Sequence, residues 1–326
     1  MGNLKKFIPA VLTGLTIPVV IFYSSNVSGS AAEAILMCLQ VVIPSMFPLI
    51  FLGMLLCNYW KDIRIPFLDP LCCATGIPKN GQSIILLAFL GGYPVGAQAV
   101  TSAYNDGLLN KKQAHRLLGF CNNAGPSFIF GLIGSMFRDK ASVLLLWLIH
   151  ICSAVIVGYI LPDKDAKSQK GTISKKDQLT GILSTSIRVT SVICGWIIIF
   201  KILINFINSL IVDTPQVVRV VLFGLLELSN GCVLLPTIAQ DSIRFIVTSG
   251  LISAGGICVA MQTKAVVGSI GLGMYFPGKI IQLCISVLLS SIVAPFLYNE
   301  SISLYPIIVS IIIGLVILTI LKRKKL

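Results

Sequence analysis

Two short stretches rich in glycine and proline interrupt the apolar runs of this chain and constrain how it can fold. Residues 91–97 read GGYPVGA and residues 121–127 read CNNAGPS. Each lies between runs long enough to enter a bilayer, where lipid cannot pair the N–H and C=O groups that a broken helix frees. Such breaks are tolerated where they are buried in protein or line a wet cavity, and in secondary transporters they mark the substrate site. The two stretches therefore predict broken membrane helices around a binding site.

The composition predicts an all-α, multi-pass membrane protein. Of the 326 residues, 56% are hydrophobic and 11% are charged, and the mean hydropathy is +0.93, whereas a soluble domain carries about 25% charged residues. The net charge of +13 lies mostly in short segments between apolar runs, as the positive-inside rule requires. No nucleic-acid partner is therefore expected. The ten cysteines form no CxxC pair, and His115 and His150 lack metal-ligand spacing, so no metal is expected and both histidines are interpreted as interfacial or packed.

Apolar segments recur along the whole chain. A simple span needs about 20 residues, and segments that cross or enter the membrane are predicted at about 7–24, 31–57, 82–104, 112–136, 141–161, 181–211, 215–238, 243–267, 273–298 and 303–321. The first is interpreted as a retained helix, because no convincing signal-peptide cleavage site follows it. The domain prediction is an N-terminal transmembrane helix (1–30), a first repeat (31–161), a cytoplasmic loop (162–180), a second repeat (181–298), and a C-terminal helix with a basic tail (299–326).

The two halves show the same order of features, namely a long helix, an interrupted hairpin, a broken helix and an intact helix. If both hairpins are re-entrant, the basic stretches 58–81, 105–118 and 162–180 and the C-terminal tail all fall on the cytoplasmic side, which satisfies the charge rule. The expectation is therefore two inverted repeats, each with a re-entrant hairpin and a broken transmembrane helix, and eight crossing helices. The protein is expected in the cell membrane with both termini cytoplasmic.

In the first hairpin, a new half-helix is expected to start near Pro94. Its free N–H groups would carry the positive end of a helix dipole, which favours an anion. Gly92 and Gly96 would allow a ligand or another backbone to approach closely, and Tyr93 lies between them. The alternative is tight helix packing through small residues.

The second stretch supplies directional polar groups at membrane depth. The amides of Asn122 and Asn123 and the hydroxyl of Ser127 surround a break at Gly125 and Pro126. These groups could hold a carboxylate, a base edge or a hydroxyl. The alternative is that the amides only cap the half-helices.

In the second half, Glu227 is the one carboxylate expected near the membrane interior, beside Ser229 and Asn230. An ionisable group at that depth is a functional hypothesis by default, and Glu227 could accept a coupling proton or Na⁺. The alternative is a paired residue near the interface. Gly255 lies in the second break, at 253–256, and is included in the predicted site.

Three cations fall within apolar runs. Lys201 is the deepest of them and is a candidate contact for an anion. Lys201 and Arg219 are also the two candidate ion-pair partners of Glu227. Arg188 and Lys279 are expected within reach of the inner face, where long side chains can snorkel. No nucleophile and base pair and no phosphate-binding loop is visible, so neither enzyme activity nor a cofactor is expected.

Taken in order, three motifs resemble one family. GGYPVGA at 91–97, NNAGPSFIFG at 122–131 and GLLELSNG at 224–231 resemble the YlbJ-type sporulation integral membrane proteins, within the wider nucleoside-recognition, or Gate-domain, family. The likeness covers roughly residues 30–300. It implies a Gate-type fold related to concentrative nucleoside transporters and, for this branch, export of dipicolinate from the mother cell toward the forespore. The motif positions carried over are Gly92, Tyr93, Pro94, Gly96, Asn122, Asn123, Ser127, Glu227, Ser229, Asn230 and Gly231.

The functional prediction is a secondary transporter of a small polar or anionic aromatic solute, with dipicolinate as the first candidate, working by alternating access at a midplane site. A nucleoside transporter and a non-transporting scaffold of a sporulation assembly remain as alternatives. The expected partners are a small-molecule substrate and the lipid bilayer. H⁺ or Na⁺ as the coupling ion and a homo-oligomeric state are left open.

Overall fold

The computed structural model describes residues 20–60, 65–78, 81–161, 178–211, 213–300 and 305–323, together with Gly14, Ile17 and Pro18. These ranges are helical and contain no strand, which confirms the predicted all-α class. Most of the predicted first helix and of the loop 162–180 lies outside them. Within the described ranges, five helical runs are long and apolar enough to cross a membrane: Ser24–Leu56, Lys140–Ile160, Leu179–Leu210, Asp241–Ile270 and Tyr275–Tyr298.

The described residues of the first half form seven α-helices. They are α1 (Ser24–Met37), α2 (Ile43–Trp60), α3 (Asp69–Thr75), α4 (Gln82–Leu90), α5 (Val95–Asn105), α6 (Lys111–Leu118) and α7 (Lys140–Ile160). Two π-helical turns interrupt the α-helical pattern, one at Cys38–Val42 between α1 and α2 and one at Ser127–Leu132. α1 runs across the predicted boundary between the N-terminal helix (1–30) and the first repeat (31–161). π-Helices are rare and occur frequently at functional sites.

In the part of the second half and C-terminal region that the structure describes, there are another seven. They are α8 (Leu179–Leu210), α9 (Gln216–Leu226), α10 (Leu228–Val233), α11 (Asp241–Ala254), α12 (Gly256–Val267), α13 (Tyr275–Tyr298) and α14 (Tyr305–Arg323). α8 is unbroken for 32 residues. At about 1.5 Å per residue it is longer than the roughly 30 Å hydrocarbon core of a bilayer.

The helices are interrupted where the sequence predicted. α4 and α5 form a hairpin around residues 91–94, and α6 is followed by the non-helical residues 119–125. In the second half, α9 and α10 meet at Glu227, and α11 and α12 meet at Gly255. Gly255 has φ of 74°, a left-handed conformation that glycine adopts without steric cost.

Glycines allow the first hairpin to pack directly on the first break. A Cβ added at Gly96 would lie 1.8 Å from the carbonyl oxygen of Cys121, which is far inside van der Waals contact. A Cβ added at Gly92 would lie 3.1 Å from the backbone nitrogen of Gly125. The backbone that approaches these glycines is therefore that of the segment 119–126. In the second half, Gly231 packs in the same way on Gly224, with an added Cβ 2.2 Å from the Gly224 Cα.

α13 holds this arrangement together. It packs against α7, α11 and α14, and it also reaches α6. α1 and α2 pack along α8. Two buried polar side chains on α13, Lys279 and Gln282, contact the first break at Asn123, and Ser286 contacts Ser249 on α11.

Candidate functional site

A cavity of about 560 Å³ brings together residues from both halves. Its size is typical of small-molecule sites, which are mostly apolar with a few placed polar groups. Both π-helical turns contribute to its wall. The polar residues that line it are Gln40, Ser45, Tyr93, Ser127, Ser135, Glu227, Ser229 and Gln262.

Four of the predicted site residues line this cavity, namely Tyr93, Ser127, Glu227 and Ser229. The other predicted positions lie outside its lining. Seven predicted site residues lie in the hairpin, the breaks and α10 but not in the cavity wall, namely Gly92, Pro94, Gly96, Asn122, Asn123, Asn230 and Gly255. They belong to the same helix interruptions as the four residues that line the cavity, and several of them hold these interruptions in place.

The carboxylate of Glu227 caps the N-terminus of α10. Its Oε1 accepts a hydrogen bond from the N–H of Ser229 at 3.1 Å, and its Oε2 accepts from the N–H and from the Nδ2 of Asn230, each at 2.7 Å. The residue is only 2% exposed. These donors satisfy a buried negative charge. Glu227 is also the one charged residue among the described residues that line the cavity.

Tyr93 joins the first hairpin to the second half. Its side chain is buried, and its hydroxyl donates a hydrogen bond to the carbonyl oxygen of Ile252 on α11 at 3.1 Å. The ring meets Phe128 edge-on, with centroids 6.4 Å apart. The cavity wall thus carries an aromatic pair held in a fixed orientation.

The two asparagines of the first break contact different partners. The Nδ2 of Asn122 donates to the hydroxyl of Thr263 on α12 at 2.8 Å. The Nδ2 of Asn123 donates to the carbonyl oxygen of Phe120 at 2.7 Å, while its Oδ1 accepts from Gln282 and Lys279 on α13. Asn122 therefore ties the first break to the helix after the second break, and Asn123 ties it to α13.

His150 is a packed histidine, as predicted. It is fully buried on α7, and its Nε2 accepts the N–H of Ala124 at 3.0 Å. Its Nδ1 lies 3.2 Å from the hydroxyl of Ser253. Because one nitrogen accepts a backbone N–H, the ring is the neutral imidazole with its proton on Nδ1. His150 supports both breaks without carrying charge.

The cations lie in unlike surroundings. Lys201 forms an ion pair of 3.3 Å with Glu33, whose side chain is 64% exposed, and it does not line the cavity. Arg219 donates to Asn208. Both candidate partners of Glu227 thus have other partners. The expectation that Lys279 snorkels to the inner face is wrong, because its side chain turns inward to Asn123 and Gln282 and is 3% exposed.

Sequence reasoning missed Gln40, Ser45, Ser135 and Gln282. The first two are polar side chains within an apolar helical run, one in the π-turn and one just after it, and this is the signal that could have found them. Gln282 follows Lys279 by three positions and so shares its helix face. Among the described residues, no three His, Cys, Asp or Glu side chains lie close enough to hold a metal ion.

The chain is similar to the sporulation integral membrane protein YlbJ of Bacillus subtilis (strain 168). The two are 26% identical over 286 residues, which cover 77% of this chain and 67% of YlbJ. No protein-family model and no solved structure matches the chain. The aligned length agrees with the extent of the resemblance carried by the three motifs. The chain is therefore similar to a YlbJ-type sporulation integral membrane protein, in agreement with the resemblance of its three motifs.

Proposed function

We propose that this protein is a membrane transporter that moves a small polar or anionic aromatic solute by alternating access around the cavity. The observation that carries the proposal is that Tyr93, Ser127 and Glu227, one from each of three helix interruptions, line a single cavity. Interrupted helices that converge on a cavity at membrane depth are the usual substrate site of secondary transporters.

Dipicolinate is the first candidate solute. The similarity to YlbJ supports a role in sporulation, and the family resemblance implies dipicolinate export in that process. A cavity of about 560 Å³ has room for one small planar ring, and the Tyr93–Phe128 pair offers aromatic surface beside it.

A nucleoside is the second candidate, and the charge of the cavity favours it. Glu227 is the one charged group among the described lining residues, and the amides of Gln40 and Gln262 lie in the same wall. Amides and a carboxylate can bind an uncharged base or sugar by hydrogen bonds. A dianion would meet the negative charge of Glu227, so dipicolinate requires Glu227 or the solute to be protonated in this state.

We also propose the membrane arrangement of inverted repeats with re-entrant hairpins, the Gate-type fold, and cytoplasmic termini. The shared order of interruptions in the two halves supports the repeats. The positions of the basic stretches support the orientation. A coupling role for Glu227, with H⁺ or Na⁺, belongs to the same proposal, and so does an anion contact by Lys201.

Flux of labelled dipicolinate and of uridine into proteoliposomes tests the function. The wild-type chain is compared with Glu227→Gln, and with Asp213→Asn as a control on an exposed carboxylate in a turn. Dipicolinate flux that is lost in Glu227→Gln and kept in Asp213→Asn would support a carboxylate transporter. Uridine flux alone would favour the nucleoside branch. No flux of either solute by folded protein would contradict the transporter and favour a membrane scaffold.

A further inference from the structure

Lys279 is a buried cation held by uncharged groups. Its Nζ donates to the Oε1 of Gln282 at 2.9 Å and to the Oδ1 of Asn123 at 3.3 Å. The residue is 3% exposed, and none of the described carboxylates forms an ion pair with it. A buried charge without an opposite charge is costly.

None of the titratable groups described next to Lys279 is a candidate for releasing a proton in its place. On α7, His150 is the neutral imidazole, because its Nε2 accepts the N–H of Ala124. In the break, Cys121 is a buried thiol. On α6, Arg116 donates to the carbonyl oxygens of Thr75, Gly158 and Leu161, and arginine does not deprotonate in proteins.

The two remaining helices that pack on α13 add no further candidate. On α11, the charged residues Asp241 and Arg244 pair with each other at 2.7 Å in its first turn. α14 has no charged residue among the side chains that the structure describes. Lys279 is thus the group of this cluster whose charge can change.

A continuous set of contacts links Lys279 to the cavity. Asn123 accepts from Lys279 and from Gln282 through the same oxygen, so this oxygen holds the segment 119–126 against α13. Gly125 of that segment packs on Gly92 of the hairpin. The next residue, Tyr93, lines the cavity. Directly packed residues therefore connect Lys279 to the cavity wall.

We propose that Lys279, rather than Glu227, carries the proton to which transport is coupled, which leaves Glu227 in the cavity wall to face the solute or Na⁺. As an ammonium it holds the segment 119–126 through a charge-assisted hydrogen bond to Asn123. When Nζ gives its proton to water, the amine keeps only a weaker, neutral hydrogen bond and the segment loosens. The coupling role rests on the proposed transport function. The change in the contact between Lys279 and the segment 119–126 on proton loss can occur whether or not the protein is a transporter.

Amide hydrogen exchange of the segment 119–126 tests directly whether protonated Lys279 keeps this segment in place. The full-length protein is measured in lipid nanodiscs, and exchange rates are corrected for their intrinsic pH dependence. From mildly acidic to mildly alkaline pH, wild-type protection should fall about tenfold, the size expected for weakening one hydrogen bond to a charged group. Lys279→Arg stays charged and should stay protected throughout. Lys279→Met should be weakly protected at every pH. Lys264→Met, which changes an exposed lysine, should behave as wild type.

Two results of this experiment would overturn the proposal. One is wild-type protection that does not change with pH. The other is a Lys279→Arg variant that keeps the full pH response of the wild type. Both can be read even if Lys279→Met fails to fold.

The coupling role has its own readout. Accumulation driven by a pH gradient should be lost in Lys279→Arg while downhill exchange of the same solute persists. Equal gradient-driven accumulation by wild type and Lys279→Arg would overturn it. If neither dipicolinate nor uridine moves at all, the coupling role fails together with the transporter proposal, and hydrogen exchange still decides whether Lys279 holds the break.

Discussion

The hydroxyl of Tyr93 lies 3.1 Å from the carbonyl oxygen of Ile252 and donates a hydrogen bond to it. Tyr93 is at the tip of the first hairpin, and Ile252 lies on α11 just before the second break. The two residues are 159 positions apart in sequence, so this hydrogen bond joins the interrupted regions of the two halves. Because Tyr93 also lines the cavity, a solute bound there would contact a residue that holds the halves together.

Removing this hydroxyl should weaken the junction. Tyr93→Phe keeps the ring and loses one buried hydrogen bond, so we expect a loss of about 1 kcal/mol of stability and a reduced flux of whichever solute moves. Thermal unfolding in detergent and proteoliposome flux measure the two effects. Tyr23→Phe, at a residue 47% exposed, is the control. Equal behaviour of the two variants would show that the Tyr93 bond is dispensable.

Gly96→Ala tests the close packing of hairpin and break. Its Cβ would meet the Cys121 carbonyl oxygen at 1.8 Å, so backbone must shift, at a cost of about 1–3 kcal/mol or more. Gly195→Ala is the matched helical control, since nothing lies within 4 Å of its Cβ. There the better helix propensity of alanine should stabilise by up to about 1 kcal/mol. Unfolding temperatures of the two variants should therefore move in opposite directions, and a Gly96→Ala variant as stable as wild type would disprove the contact.

Asp139 caps α7 and predicts a pH-dependent stability. Burial opposes its charge, but hydrogen bonds from the hydroxyl and N–H of Ser142 outweigh that effect and lower the pKa of the carboxyl. Asp139 therefore stabilises the fold above the ordinary aspartate pKa, and this stabilisation is lost as the pH falls through its lowered pKa.

Asp139→Ala should cost about 1 kcal/mol at neutral pH, and the difference from wild type should shrink in strong acid. Unfolding temperatures across this pH range measure it, with Asp213→Ala, an exposed aspartate in a turn, as the control. A difference that stays constant down to strong acid would mean that the charge of the cap does not matter.

Labelling tests the inverted arrangement. Asp106→Cys, at the base of the first hairpin, and Asp213→Cys, before the second, should react with a membrane-impermeant thiol reagent from opposite faces. The basic stretch 105–118 places the first inside. Cys73 and Cys152, which are exposed, are replaced by serine beforehand. Labelling of both positions from the same face would rule out inverted repeats with re-entrant hairpins.

Local chemistry made the interruptions predictable. Glycine and proline cluster with polar residues near 91–97 and 121–127, which disfavours a continuous helix, and the helices are interrupted there. The inward turn of Lys279 could not be read, because its partner Asn123 lies 156 positions away and a lysine near a helix end usually snorkels. The π-turn at Cys38–Val42 could not be predicted either, because an apolar run has the same sequence pattern whether its turns are α-helical or π-helical. Its polar residue Gln40 reaches the site only through tertiary packing.

The most direct test of the proposed substrate site is whether the transported solute protects the cavity wall from chemical modification. Ser45→Cys and Ser127→Cys place thiols in its wall, and Ser209→Cys places one on an exposed part of α8 as the control. Modification rates are measured with a small methanethiosulfonate reagent, with Cys73 and Cys152 again replaced. We expect saturating dipicolinate or uridine, whichever shows flux, to slow modification several-fold at positions 45 and 127 and not at 209. Unchanged rates at all three positions, under conditions where that solute is transported, would contradict the proposed substrate site.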